Sequence, residues 1–331
     1  MEFGFFFWPF SPELVRRMGR AAERCGYHMV GVADTPGNAM DPWVAATMLA
    51  LATTRPRIAQ CVTNLSSRHP AVTAAAAASL ELLAPGRTVL GIGTGHSGTR
   101  NLGLGVGKVA ELEAGAVALR QLLSGRPAEW ARAETHLPWV TRPCPVFLSA
   151  SGPKALAAAG RSAEGAFANF GLGRDEIAHS EGAVRTAAVA AGRDPDAVEI
   201  WQIAALDCSR DGAASRRQIG AILAFMAAGY ILQGDLAARG VPPHLHGAIA
   251  ELRRRYSTRP GAADAALVDE LGLFDFLAGR FAIQGTPEEC RHQLLAAGDA
   301  GLRRVMFSVG LAADPVATIE LFGAEVLPAL R

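Results

Sequence analysis

Residues 57–95 read RIAQCVTNLSSRHPAVTAAAAASLELLAPGRTVLGIGTG. Two short apolar runs, Arg57–Asn64 and Thr88–Gly95, flank an alanine-rich stretch, Ala71–Ala84. The runs are strand-sized and rich in Val and Ile, whereas the middle stretch is long, alanine-rich and carries the polar residues Thr73, Ser79 and Glu81, so it reads as a buried helix. A connection that long, with a helix inside it, joins parallel strands. The block therefore reads as one strand–helix–strand unit, with strands apolar on both faces and so covered on both.

The same period runs outward in both directions. Strand-like runs lie at Glu2–Trp8, His28–Asp34, Arg57–Asn64, Thr88–Gly95, Pro145–Ala150, Gly165–Gly171, Val198–Cys208 and Leu302–Gly310. Helical patterns lie at Pro12–Cys25, Pro42–Thr54, Ala71–Ala84, Lys108–Leu123, Pro153–Ala163, Asp175–Ala191, Pro287–Ala300 and Pro315–Leu330. Pro follows Ser11, Asp41, Gly152, Thr286 and Asp314, which is the chemistry of a helix start. Eight periods predict an α/β chain forming a single (β/α)8 TIM barrel over residues 1–331. A helix-rich insertion at 209–286, before strand eight, reads as a lid over the C-terminal mouth, and a weakly periodic insertion spans 125–144. The rival is a doubly wound dinucleotide fold, since Gly93-Thr94-Gly95-His96-Ser97-Gly98 spells Gly-Xaa-Gly-Xaa-Xaa-Gly. More glycine loop follows it (Gly103, Gly105, Gly107), and Glu111 and Glu113 fall in a helical pattern instead of closing a strand, which disfavours that fold.

Composition narrows the function classes. Half of the 331 residues are hydrophobic, 19% are charged and the net charge is +1, so no global field draws nucleic acid or an anionic membrane. The apolar start, Phe5-Phe6-Phe7-Trp8, is far too short to span a bilayer. Five scattered cysteines form neither a Cys-Xaa-Xaa-Cys pair nor a metal-ligand pattern, and the expectation is a cytoplasmic protein with no metal and no membrane or nucleic-acid partner. Of the 32 basic residues only Lys108 and Lys154 are lysines.

In such a barrel function concentrates where the strands end. Those ends read Trp8, Asp34-Thr35, Val62-Thr63-Asn64, Gly93 to Ser97, Ser149 to Lys154, Asn169-Phe170-Gly171 and Ser308-Val309-Gly310. A rim this small and polar suits a planar ligand held by backbone groups, or else small residues simply ending strands. Ser149-Ala150-Ser151-Gly152-Pro153-Lys154 runs from a strand into a helix N-terminus, where exposed N–H groups favour an anion such as phosphate; the plainer alternative is a turn with a surface lysine. His96 is a candidate proton donor or substrate contact, resting on the ordinary imidazole pKa of about 6.5. Asp34 either orients a ligand or caps a loop. Arg68 is expected to pair with a carboxylate or to pack structurally instead of binding substrate, His69 lies at a helix start, and His244 and His246 fall in the insertion.

Four of these rim segments also carry a family likeness. Val32-Ala33-Asp34-Thr35-Pro36, Val62 to Ala71, Leu90 to Gly95 with Arg100-Asn101-Leu102-Gly103, and Ser151-Gly152-Pro153-Lys154 resemble the bacterial-luciferase-like superfamily, in order and over nearly the whole chain. Gly285-Thr286-Pro287-Glu288-Glu289 adds to it. The nearest flavour is the branch of coenzyme F420-dependent reductases such as methylenetetrahydromethanopterin reductase. The resemblance implies an oxidoreductase that moves a hydride between bound F420 and a small organic substrate. FMN, with monooxygenase chemistry, is the alternative, and a barrel binding flavin or phosphate without turnover is the alternative from another class. It implies a ring lying across strand three, where the family often has a non-prolyl cis peptide, here Cys61–Val62. Asp34, Thr63, Asn64, Gly93, Gly95, His96 and Asn169 would line the cofactor, its phosphate would sit on Ala150, Ser151, Gly152, Pro153 and Lys154, and His96 and Asp34 would be catalytic. The family's helix-mediated pairing leaves a homodimer open. The chain departs from its relatives at Phe6, where the methanopterin reductases have an acid, at Thr35, where the sugar-phosphate dehydrogenases have His, and at His96, where many members have Asp or Glu.

Overall fold

The computed structural model describes residues 1–257 and 265–330. Eleven strands run along it: β1 (Glu2–Phe7), β2 (Met29–Val32), β3 (Arg57–Asn64), β4 (Thr88–Gly93), β5 (Ala128–Trp130), β6 (Ala133–Thr135), β7 (Val146–Ala150), β8 (Gly165–Ala168), β9 (Glu199–Cys208), β10 (Ala282–Gly285) and β11 (Arg304–Ser308). The helices are α1 (Pro12–Cys25), α2 (Pro42–Ala52), α3 (Pro70–Leu83), α4 (Ser97–Arg100), α5 (Val109–Leu122), α6 (Pro153–Ser162), α7 (Arg174–Ala190), α8 (Gly212–Met226), α9 (His246–Arg255), α10 (Leu267–Glu270), α11 (Phe274–Phe281), α12 (Pro287–Asp299) and α13 (Pro315–Glu325). The succession is that of a (β/α)8 barrel, with every expected strand present.

The chain divides into two compact units. Trp8–Ala168 with Ser180–Trp201 holds the parallel strands β2-β3-β4-β7-β8 in that order. Alternation along each strand sorts its side chains: Leu90, Ile92, Val146 and Leu148 pack with Leu112, Leu119 and Leu156 of the surrounding helices. The intervening Gly91 and Gly93 face the other way, toward Phe167, Val62 and Ser149. Met1–Phe7, Asn169–His179 and Gln202–Arg331 form the other unit, with strands β10-β9-β11-β1, again parallel. Its aromatic centre stacks Phe3 on Phe307 at 6.4 Å and sets Phe322 edge-on to Phe307 at 5.2 Å. Arg280 is buried there, with Nε and Nη2 donating to the Phe170 carbonyl at 3.0 and 2.9 Å.

Three features differ from the sequence reading. The 209–286 insertion is helix-rich but ends in a strand, β10, paired with the last residues of β9. Four residues directly after a helix leave no separate pattern to see. The 125–144 segment holds the antiparallel hairpin β5–β6. The third difference is the short helix α4, inside what reads as glycine loop. Residues 258–264 of the insertion, and Arg331, lie outside the described residues.

Candidate functional site

The expected rim residues of the Trp8–Ala168 segment meet at the ends of β2, β3, β4 and β7. The Cys61–Val62 bond is cis, and β3 slips register against β4 between Gln60 and Thr63. The slip brings the Gln60 carbonyl and the Val62 side chain down onto β4, so Gly91 admits no Cβ: one built there would lie 2.2 Å from Gln60 O and 2.9 Å from Val62 Cγ1. At Gly93 a Cβ would lie 3.0 Å from Val62 Cγ2 and 3.4 Å from Ser149 Cβ. The ends of β3, β4 and β7 thus converge on a position that has no side chain of its own.

On the β2 side, the Thr63 hydroxyl donates to Asp34 Oδ2 at 2.6 Å. Burial raises the Asp34 carboxyl above the usual carboxylate range, opposed by the Thr63 hydrogen bond and by the Arg68 charge. Thr35 is 1% exposed, and its hydroxyl has no hydrogen-bond partner among the described residues. The Asn64 carboxamide oxygen accepts from the Ser66 and Ser67 N–H groups at 3.0 and 2.9 Å, which shapes the loop after β3. Helix α4 rests on this corner. A Cβ at Gly98 would lie 2.6 Å from the Asp34 carbonyl oxygen and 3.4 Å from Asn64 Nδ2. His96 precedes α4, its carbonyl accepting from Arg100 N at 2.8 Å. Burial first, then the nearby Arg100 cation, pushes the His96 pKa down to about 4. This corrects the expectation of a ring titrating near neutrality: at pH 7 His96 is a neutral imidazole.

On the β7 side, α6 begins at Gly152 with no side-chain cap. Helices α1, α2, α3 and α13 are each closed by a side chain, from Ser11, Asp41, His69 and Asp314. No side chain caps the first N–H groups of α6, and Lys154 in the same turn is exposed and makes no ion pair among the described residues. Pro153 occupies the first helical position and Ala150 is buried under the turn.

Other expected residues serve structure. Arg68 pairs with Asp41. His69 Nδ1 accepts from the Ala71 N–H at 3.2 Å and caps α3. His246 Nε2 bonds the Val241 carbonyl at 2.9 Å, and His244 is exposed. Asn169 belongs to the other unit, directly after β8, and is 2% exposed. Gly91 and Gly98 escaped sequence reasoning as site residues, although Gly91 opens the Gly-Xaa-Gly rhythm of β4 and Gly98 closes the Gly-Xaa-Xaa-Gly step that follows it. Among the described residues no group of three His, Cys, Asp or Glu side chains could hold a metal ion, and no helix is long and apolar enough to cross a membrane.

A family model described as luciferase-like monooxygenase matches residues 1–304. The chain belongs to that family. Among its relatives, this luciferase-like chain is 26% identical to 5,10-methylenetetrahydromethanopterin reductase of Methanolobus tindarius, over 99% of this chain and 100% of the relative. It is 29% identical to phthiodiolone/phenolphthiodiolone dimycocerosates ketoreductase of Mycobacterium tuberculosis (strain CDC 1551 / Oshkosh), over 88% of this chain and 81% of the relative. The coenzyme F420-dependent tetrahydromethanopterin reductase of Methanopyrus kandleri has the same fold, with a TM-score of 0.82 at 22% identity over 100% of this chain and 99% of that one. The luciferase-like fold thus extends over the full length of the chain, and the cis bond and the uncapped α6 lie within the matched region.

Proposed function

We propose that the chain is an F420-dependent oxidoreductase that transfers a hydride between the deazaflavin ring and a small organic substrate. The observation that carries this reading is the uncapped start of α6, next to a β4 end stripped of side chains at Gly93. The residues present fit a flat, phosphate-bearing cofactor. The N–H groups after Gly152, with Ser151 and Lys154, offer an anion seat at a helix N-terminus. Val62, Gly93 and Gly95 offer backbone and a small apolar face to a ring, and the buried Thr35 hydroxyl offers an unspent hydrogen bond. Relatives named as methylenetetrahydromethanopterin reductase and F420-dependent reductase support the choice of cofactor.

When bound, F420 supplies the ring that donates or accepts the hydride. The chain's own residues supply position and proton. Asp34, held in place by the Thr63 hydroxyl, lies where the proton that accompanies the hydride can be taken up or released, and burial raises its pKa from the ordinary carboxylate value toward that task. Neutral His96 hydrogen-bonds the substrate oxygen without bringing a competing cation. Five free cysteines support a reducing, cytoplasmic setting. The assembly is a homodimer through helices, argued below from α2 and α3.

The test is titration of the purified protein with F420 and with FMN, followed by absorbance and fluorescence. Saturable binding of F420, at least tenfold tighter than FMN, is expected. Preference for FMN moves the reading to a flavin monooxygenase, and binding of neither cofactor overturns it.

A further inference from the structure

Among the described residues fifteen arginines pair with carboxylates, among them Arg57 with Glu199 at 2.7 Å and Arg161 with Glu113 at 2.7 Å. Neither Lys108 nor Lys154 makes an ion pair among the described residues. Lys154 is absorbed by the anion seat on α6, but Lys108 is not.

Lys108 lines a separate cavity of about 350 Å³ that opens beside Gly93 and Thr94. Leu65, Leu112 and Trp130 form its apolar wall, and Ser66, Lys108 and Glu111 its polar lining. The wall is built in: a Cβ at Gly115 would lie 2.0 Å from Leu65 Cδ1 and 3.6 Å from Trp130 Cη2, so both side chains seat on α5 only because residue 115 is glycine. The hairpin that delivers Trp130 turns through Ala131 and Arg132 at φ 51° and 68°, a left-handed pair normally left to Asn and Gly. Glu111 accepts from the Lys108 N–H at 3.3 Å, so its charge is partly committed to the backbone. The lining thus holds one ammonium and one carboxylate: Lys108 offers a single cationic contact, and the nearby Glu111 charge opposes a dianion.

We propose that this cavity is a subsite for a carboxylate carried on an apolar or aromatic body, with Lys108 meeting the carboxylate and Trp130 and Leu65 taking the body. A compact ammonium suits a monoanion at the mouth of a small cavity, where a wide guanidinium fork would fill the space. The inference deepens the proposed function by naming a chemical class for what enters beside the rim, and the carboxylate belongs either to the substrate or to the side chain of the cofactor.

Calorimetric titration of the cofactor-free protein with 2-naphthoate and 2-naphthamide tests it, independently of any cofactor. Naphthoate should bind at least tenfold tighter than naphthamide. Lys108→Met, an exposed substitution, should erase that preference and leave naphthamide unchanged, and Trp130→Ala should weaken both. Equal affinity for the two probes, or a preference that survives Lys108→Met, overturns the proposal. Repeating the titration with F420 present identifies the source. Competition assigns the carboxylate to the cofactor and independent binding assigns it to the substrate; either result upholds the subsite. A protein that fails to bind F420 but keeps the naphthoate preference refutes the proposed function alone.

Discussion

His96 shows how burial rewrites a single residue's chemistry. In water its ring would be half-charged near pH 6.5, but here desolvation and the Arg100 cation hold it neutral down to about pH 4. A folded pKa below the unfolded one means that the native state binds fewer protons in between. The stability tied to a neutral His96 is fully present above about pH 6.5 and is lost as pH falls toward 4. At about 1.4 kcal/mol per unit, and allowing for partial exposure, the loss is roughly 2–3 kcal/mol. Denaturant melts of the wild type and His96→Gln at pH 7.5 and pH 4.5 should therefore diverge, the variant losing less on acidification. Parallel losses would mean that the ring is not held neutral. Cofactor binding should show no inflection between pH 6 and 8 attributable to this residue. None of this was legible in the sequence, where His96 is one imidazole after a glycine. The value depends on burial that α4 creates by packing Gly98 against Asp34 and Asn64.

At the scale of elements, the strands and helices were legible because each carries its own periodicity, and the starts of α1, α2, α6, α12 and α13 because each has Pro behind a polar residue or glycine. The β5–β6 hairpin was not legible, since its turn residues Ala131 and Arg132 lack the Asn or Gly that marks such turns. Gly91 was visible as a glycine but not as a site residue, because its need arises from the Gln60 carbonyl of a neighbouring strand. The α6 start was legible in residue type, but not that no side chain closes it, a trait it shares with α5, α9 and α11 and which matters here because the helix begins directly after β7. That absence has a measurable consequence. Gly152→Asp would place a capping carboxylate over the open N–H groups, worth a few tenths of a kcal/mol to the helix relative to glycine. The same carboxylate would occupy and repel the anion seat. The variant should melt at or slightly above the wild-type temperature while F420 affinity drops at least a hundredfold. Unchanged affinity would remove the phosphate from α6.

At the scale of the whole molecule, α2 and α3 are anomalous. A surface helix normally shows one apolar stripe and one charged face. α2 contains no charged residue, and the single charge of α3, Glu81, is buried. The outward faces instead carry Val44 and Leu51, 53% and 74% exposed, and Val72, Leu82 and Leu83, at 55%, 59% and 50%. Val44, Met48 and Leu51 follow the i, i+4, i+7 spacing of one face, and Val72 and Leu83 share another. The two helices pack side by side, so their stripes form one apolar surface on one unit of the fold. A contiguous exposed apolar patch of that kind marks an interface. A second copy of the same chain covers it most economically, because a two-fold axis buries the same stripe on both partners. Leu51→Glu with Leu82→Glu would set charges of one sign against each other across that axis, each also desolvated. Both side chains are exposed within the subunit, so the fold itself should tolerate the change. Sedimentation should show a dimer for the wild type and a monomer for the double variant, with F420 binding retained in the monomer. A wild type that sediments as a monomer, or a double variant that stays dimeric, would remove α2 and α3 from the interface.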